Sequence, residues 1–140
     1  MALFTYNLRN LDAAVRRLLN GHTAIRHRAM AKAADYMREE AQRRCPVDEG
    51  NLTDDIMAGT EAHAKSESAV VYVPVNAPSG KYAIPMHEHD YNLGENSRAK
   101  QAKLGVAVGK GYLTRAITEN MQEIEDGIVE TLRNGLEGMA

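Results

Sequence analysis

The sequence predicts an α+β fold: N-terminal helices, a small and mainly antiparallel β-sheet, a long loop, and a C-terminal helix packed on the sheet. Three observations support this class. Apolar residues recur at helical spacing before Cys45 and again from Tyr112, strand candidates that include the β-branched and aromatic run Ala69–Val73 lie between them, and Pro46 separates the first helical part from the strands. The change of periodicity indicates where the helices give way to the sheet.

The N-terminal part predicts two helices. The first runs from Asn7 to about Asn20, ends at Gly21, and has an apolar stripe of Leu8, Leu11, Val15 and Leu18. The second begins at Thr23, a residue type that caps helices, and continues to about Arg44. Its inner face consists of small or apolar residues: Ile25, Ala29, Ala33, Met37 and Ala41. Its other side carries charges that we expect to be solvated: Arg28, Lys32, Arg38, Glu39, Glu40, Arg43 and Arg44.

A tight corner follows the second helix. Proline lacks a backbone N–H and disfavours helical geometry in the residue before it, so Pro46 ends the helix at about Cys45. The next residues favour a turn, because glycine tolerates positive φ and Asp or Asn can bond the nearby backbone. We define the corner as residues 45–52, with structural roles predicted for Pro46, Val47, Asp48, Gly50 and Leu52.

Short strands are predicted between about residues 56 and 86. Ile56–Ala64 and Ala69–Val75 are two candidates joined by the polar loop Lys65–Ser68, as in a hairpin. Tyr82–Met86 is a third candidate, and Pro85 restricts it to an edge or to its own end.

Residues 89–111 lose all periodicity and contain four glycines, so we predict a long loop there, with a weak strand at Leu104–Val108. Loops of this length are uncommon in small domains and often bind partners. The last helix is predicted from Tyr112 to about Asn134, where Gly135 stops it. Its apolar stripe comprises Leu113, Ala116, Ile117, Met121, Ile124, Ile128 and Leu132.

Length and composition limit the possible functions. The chain has 140 residues, which suits one domain at 1–140, and a net charge of -2, which does not suit a general nucleic-acid binder. One cysteine and no long apolar run predict a soluble protein made in the cytoplasm, without disulfides or a membrane span. Arginines are concentrated in the first third and carboxylates in the last, which indicates complementary surfaces within the fold or between copies.

Few residues suggest chemistry. His87 and His89 are two residues apart, so on a strand both imidazoles would lie on one face and could reach the same divalent metal. A third ligand would have to come from His63, Asp54 or Asp55. A small metal-dependent enzyme is therefore an alternative from a different class. Four cations of the long loop offer contacts to phosphates or simply keep the loop solvated: Arg98, Lys100, Lys103 and Lys110. A sequence-specific DNA binder would need a helix-turn-helix, for which Gly21 is a weak turn signal.

The corner resembles a known motif. Cys45 to Leu52 followed by Asp55-Ile56 is similar to the signature Ala-Pro-Val-Asp-Thr-Gly-x-Leu and then Ser-Ile of tail-completion or head-tail joining proteins of tailed bacteriophages. Further matches follow in the same order: Tyr82-Ala83, His87-Glu88, Gly111-Tyr112-Leu113 and Ala116. The chain departs from the signature at Cys45, Glu49 and Asp55.

This resemblance implies a structural virion protein, not an enzyme, with no cofactor and no metal. It implies a homo-oligomeric ring, sixfold by analogy, in the neck between capsid and tail, with DNA passing through the lumen without sequence-specific binding. Other neck, portal-adaptor and tail-tube or terminator proteins would be its partners, and a head-closure or tail-terminator ring is the alternative. We expect the long loop to supply the oligomer or partner interface through Tyr91, Asn92, Leu93, Arg98, Lys100, Lys103 and Leu104.

Overall fold

The computed structural model describes residues 8–47, 51–64 and 66–138, with the helical path alone for residues 8–20. These residues confirm the α+β class, with helices at both ends and a two-stranded antiparallel sheet between them. The elements in chain order are α1 Leu8–Arg44, α2 Asn51–Asp55, β1 Met57–Ala62, β2 Glu67–Tyr72, α3 Gly80–Glu88, α4 Glu95–Leu104, α5 Tyr112–Thr118 and α6 Met121–Glu137.

A single helix, α1, replaces the two predicted N-terminal helices, so the predicted break at Gly21 is wrong. A glycine inside a helix costs about 1 kcal/mol relative to alanine, which the burial of the following turns can offset. The predicted inner face is confirmed, since Ile25, Ala29, Ala33, Met37 and Ala41 are all buried. The side chains of Leu8, Leu11, Val15 and Leu18 lie outside the described residues.

The predicted end of the helix before Pro46 is confirmed, because α1 stops at Arg44. The turn at Asp48, Glu49 and Gly50 lies outside the described residues, and the chain resumes in α2. The predicted hairpin is also confirmed: β1 pairs with β2 from Met57 opposite Tyr72 to Ala62 opposite Glu67.

The predicted third strand is wrong, because Tyr82–Met86 lies inside α3. The residues of α3 that face the interior include Ala83, Met86 and His87, which have helical spacing, and the carbonyl of Ala83 accepts a hydrogen bond from the hydroxyl of Tyr112 at 2.9 Å. The helix begins at Gly80, where a Cβ atom would lie 2.4 Å from the carbonyl oxygen of Val75. The close return of the chain at this point therefore requires glycine.

Residues 89–111 are not a continuous loop, because α4 occupies their middle and Gly105, with a φ of 69°, ends it in left-handed geometry. The weak strand predicted at Leu104–Val108 is absent from this described segment. The polar sequence of α4 gives it no apolar stripe, which is why periodicity did not reveal it. The predicted last helix is divided at Glu119–Asn120 into α5 and α6, and α6 continues through Gly135.

The core lies between α1 and the elements packed around it. One buried cluster joins the end of α1 to α5 and the start of β1: Ala41, Cys45, Ile56, Tyr112 and Ala116. A second cluster joins Ala33 and Met37 of α1 to Ile124 of α6, with Val71 of β2 against it. Helix α6 runs antiparallel to α1, since Tyr36 bonds Asn120 at one end and a Cβ on Gly135 would touch Ile25 at the other. Among the described residues, we find no helix of the length and apolarity that crossing a membrane would require.

Candidate functional site

Helix α4 is attached to the corner by polar side chains. Ser97 is buried, and its hydroxyl accepts a hydrogen bond from the N–H of Val47 at 2.8 Å and donates one to the carbonyl of Val47 at 3.1 Å. Both backbone groups of Val47 are therefore satisfied by one side chain. This contact fixes α4 beside the corner although α4 has no apolar face of its own.

Lys100, one turn further along α4, covers the C-terminal end of α1. Its ammonium group donates hydrogen bonds to the carbonyl oxygens of Gln42 and Cys45, the latter at 2.8 Å. The last carbonyls of a helix have no partner within that helix, and a cation is favoured near them. Partial burial lowers the pKa of Lys100. The structure thus gives Lys100 a bond inside the subunit, although the sequence suggested a partner contact.

A groove of about 500 Å³ lies where the corner, α3 and the segment before α4 meet. Its apolar lining comes from all three segments: Pro46, Val47, Leu52, Pro78, Tyr82, Met86, Tyr91 and Leu93. Asp55 ties α2 to the start of α3, because one carboxylate oxygen accepts bonds from the N–H of Ser79 at 2.9 Å and from its hydroxyl at 2.7 Å. We call this feature the corner groove.

The corner groove brings together residues that the sequence singled out for two different reasons. Pro46, Val47 and Leu52 belong to the predicted corner, whereas Tyr91, Asn92 and Leu93 belong to the predicted interface. Tyr91 is held in place by its hydroxyl, which donates to the carbonyl of Met86 at 2.7 Å. Asn92 is exposed and belongs to the lining of the groove.

The remaining predicted interface residues lie on α4. Arg98 is exposed and donates to the carbonyl of Leu93 at 2.6 Å, which supports the segment that lines the corner groove. Lys103 is exposed, and Leu104 is half-buried at the end of the helix. Asp48 and Gly50, the other two predicted corner residues, lie outside the described residues.

Large apolar side chains are exposed in and just before α3. Val75, Tyr82 and Ile84 are 91%, 54% and 69% exposed; Val75 precedes α3, Tyr82 and Ile84 lie within it, and Tyr82 lines the corner groove. The sequence did not reveal them, because we interpreted Tyr82–Met86 as a strand with a buried face. The helical spacing of Ala83, Met86 and His87 was the signal that would have assigned Tyr82 and Ile84 to the outside.

A cluster of charged side chains lies on the other side of the C-terminal end of α1. Arg44 is buried, and its guanidinium group bonds Glu40 at 2.6 Å and Glu119 at 3.0 Å. Burial opposes the charge of Arg44, but the hydrogen bonds that it donates to both carboxylates raise its pKa. Burial likewise acts against the charged form of Glu119, yet bonds from Arg44 and Arg115 hold its pKa below the usual range. Glu40 and Arg44 were expected on a solvated face, and this was wrong because their charges are paired.

Among the described residues, no group of three potential metal ligands comes together. His87 accepts at Nε2 from the N–H of Thr114 at 3.3 Å and lies 2.8 Å from Glu88 through Nδ1, so both ring nitrogens are engaged. His63, one of the predicted third ligands, bonds Ser68 at 3.1 Å. His87, His63 and Asp55 therefore serve separate local contacts.

Opposite charges also face each other within the chain. A second groove, of about 410 Å³, separates α1 from α6, with Arg28 and Lys32 on one wall and Glu123 and Glu130 on the other. Part of the charge asymmetry noted in the sequence is therefore complementary within the fold.

Cys45 is fully buried, and burial raises the pKa of its thiol to about 11. A thiol in this state stays protonated and is a poor nucleophile at neutral pH. Its position in the core agrees with a packing role at the corner.

Comparison with known proteins gives one result. Neither a curated protein sequence nor a solved structure matches the chain. The model of one family, HK97-gp10-like, matches residues 9–84, which include α1, the corner, the hairpin and half of α3. The chain therefore belongs to the HK97-gp10-like family, described as "Bacteriophage HK97-gp10, putative tail-component".

Proposed function

We propose that this protein is a structural subunit of the virion neck, where six copies form a ring that joins the DNA-filled head to the tail. Membership of a family of phage tail components supports a structural role in the virion. In this proposal the DNA passes through the lumen without sequence-specific contacts. The subunit is assembled in the host cytoplasm and binds the neighbouring neck and tail proteins.

The observation that carries the proposal is the largely apolar corner groove, whose lining includes the exposed Tyr82. Single exposed apolar residues are ordinary, but a contiguous apolar patch usually marks an interaction site. Tyr82 is 54% exposed and lines this groove, where it adjoins the apolar side chains of Pro46, Val47, Leu52 and Met86. We assign this surface to the contact with the next copy in the ring.

A closed ring needs two different surfaces on each subunit, because every copy uses one surface to contact the copy before it and the other to contact the copy after it. The corner groove lies at the C-terminal end of α1, and the opposite end of the subunit is formed by the start of α1 and the end of α6. The two ends of one long helix therefore offer the two positions that a ring requires.

A substitution in the corner groove tests the proposal more sharply than deletion of residues 92–103, which would also remove the contacts of Ser97 and Lys100. We expect Tyr82→Asp to fold normally, because Tyr82 is 54% exposed, and to abolish the ring, because Tyr82 lines the groove. Phage carrying this variant would yield unjoined heads and tails. Ala64→Asp, at an exposed position of the hairpin loop, is the matched control and should remain infectious.

Electron microscopy of particles with the subunit labelled gives the second readout. A label at the collar supports the neck assignment. Normal infectivity of the Tyr82→Asp phage, or a label elsewhere on the particle, would refute it.

A further inference from the structure

Helix α6 has a second apolar side that α1 does not cover. Met121, Val129 and Leu136 are 45–49% exposed, and their spacing of eight and seven residues places them along one flank of the helix. Ile124, by contrast, is buried in the cluster with α1. We call the exposed side the α6 flank, and it extends over about 22 Å at 1.5 Å per residue.

Helix α1 extends well beyond its own α6. Gly135 lies against Ile25, and α6 ends two residues later at Glu137. From Ile25, α1 continues to Leu8, which is about 25 Å at 1.5 Å per residue. The first turns of α1 therefore reach past the end of the helix that packs on the rest of it.

The sequence of these first turns is suited to packing against the apolar side of another helix. Residues 8–20 carry Leu8, Leu11, Val15 and Leu18 at steps of three and four, together with three arginines and one aspartate. Helix α6 carries five carboxylates and one arginine. An apolar stripe with basic neighbours and an apolar flank with acidic neighbours are complementary in both respects.

We propose that residues 8–20 of each copy bind the α6 flank of a neighbouring copy. The segment that binds and the flank that receives it belong to different parts of the subunit, so each copy takes part in both contacts and the series can close into a ring. The inference rests on the proposed ring and names a contact within it. It commits to a second copy of the chain as the partner of the flank.

Crosslinking in assembled particles tests this contact. We would introduce Leu11→Cys and Val129→Cys together and treat purified virions with a short bismaleimide. The native Cys45 is fully buried, so it should not react. A link within one copy is excluded by length, because Val129 lies opposite about residue 31 of α1, about 30 Å along the helix from Leu11.

The expected result is a ladder of covalent multimers. Particles assembled from a mixture of the two single-cysteine variants should give dimers only. In the matched control, Lys103→Cys on α4 replaces Val129→Cys and should give no ladder. Reversing charge with Arg16→Glu and Arg17→Glu should reduce the crosslinked fraction, and adding Glu125→Arg should restore part of it.

The outcomes separate this inference from the proposed function. If the subunit is present at the neck but no ladder forms, the contact between residues 8–20 and the α6 flank is wrong while the ring stands. If the subunit is missing from the particles, the neck assignment fails, and this contact fails with it.

Discussion

The packing of α6 on α1 gives opposite expectations for two glycines of the same helix. A Cβ on Gly127 would have no atom within 4 Å, whereas a Cβ on Gly135 would lie 2.6 Å and 2.8 Å from two side-chain carbons of Ile25. Alanine stabilises a helix interior by up to about 1 kcal/mol relative to glycine. Gly127→Ala should therefore stabilise the protein by about this amount.

Gly135→Ala should have the opposite sign. Ile25 is buried, so the atoms in conflict cannot move into solvent, and overpacking of this kind costs about 1–3 kcal/mol. After subtraction of the helix preference, we expect a net loss of about 1 kcal/mol in the free energy of unfolding. Urea denaturation followed by circular dichroism measures both variants under identical conditions.

A double-mutant cycle assigns the cause. In an Ile25→Ala background the obstruction is gone, so Gly135→Ala should become neutral or stabilising, with a coupling of about 2 kcal/mol. Gly127→Ala should show no coupling to Ile25→Ala. Stabilisation by Gly135→Ala equal to that of Gly127→Ala in the parent protein would refute the close contact of α1 with α6.

Two further predictions concern the contacts at the C-terminal end of α1. Ser97→Ala should lower the free energy of unfolding by about 1–3 kcal/mol, because it leaves the N–H of Val47 without a partner. Lys103→Ala on the exposed side of α4 is the control and should change the free energy of unfolding by less than about 0.5 kcal/mol. Equal effects of the two substitutions would contradict the attachment through Ser97. The lowered pKa of Glu119 means that its contribution to stability is present above its unfolded pKa and is lost as the pH falls through the acid range to its folded pKa. Glu119→Gln should therefore flatten the decline in melting temperature below about pH 5. An unchanged pH profile would exclude the ion pair with Arg44 as the cause of the lowered pKa.

Features set by local chemistry were predictable from the sequence. Pro46 ends α1 because of the geometry of proline, and the β-branched run Ala69–Val73 supplies most of a hairpin strand. The buried face of α1 was predictable from the helical spacing of its small and apolar residues. In contrast, Gly21 and Gly135 were misread as helix ends, because local glycine preference is weaker than the packing of the surrounding turns.

The corner groove could not be predicted from local sequence patterns. Its lining comes from segments more than forty residues apart, such as Val47 and Leu93, and the attachments of Ser97 and Lys100 bring them together. Helix α4 has no apolar periodicity, so its position depends on two polar side chains whose partners are backbone atoms elsewhere in the chain. Such contacts leave no trace in the spacing of residues.

The attachment of α4 has a consequence for the uniformity of copies. Hydrogen bonds weaken steeply away from their preferred distance and angle, whereas the hydrophobic effect has no preferred direction. Because Ser97 and Lys100 form hydrogen bonds with specific backbone atoms, α4 has one register and one orientation relative to the corner. Every subunit then presents the same outline, and a symmetric assembly can be built from identical parts without selecting among alternative shapes.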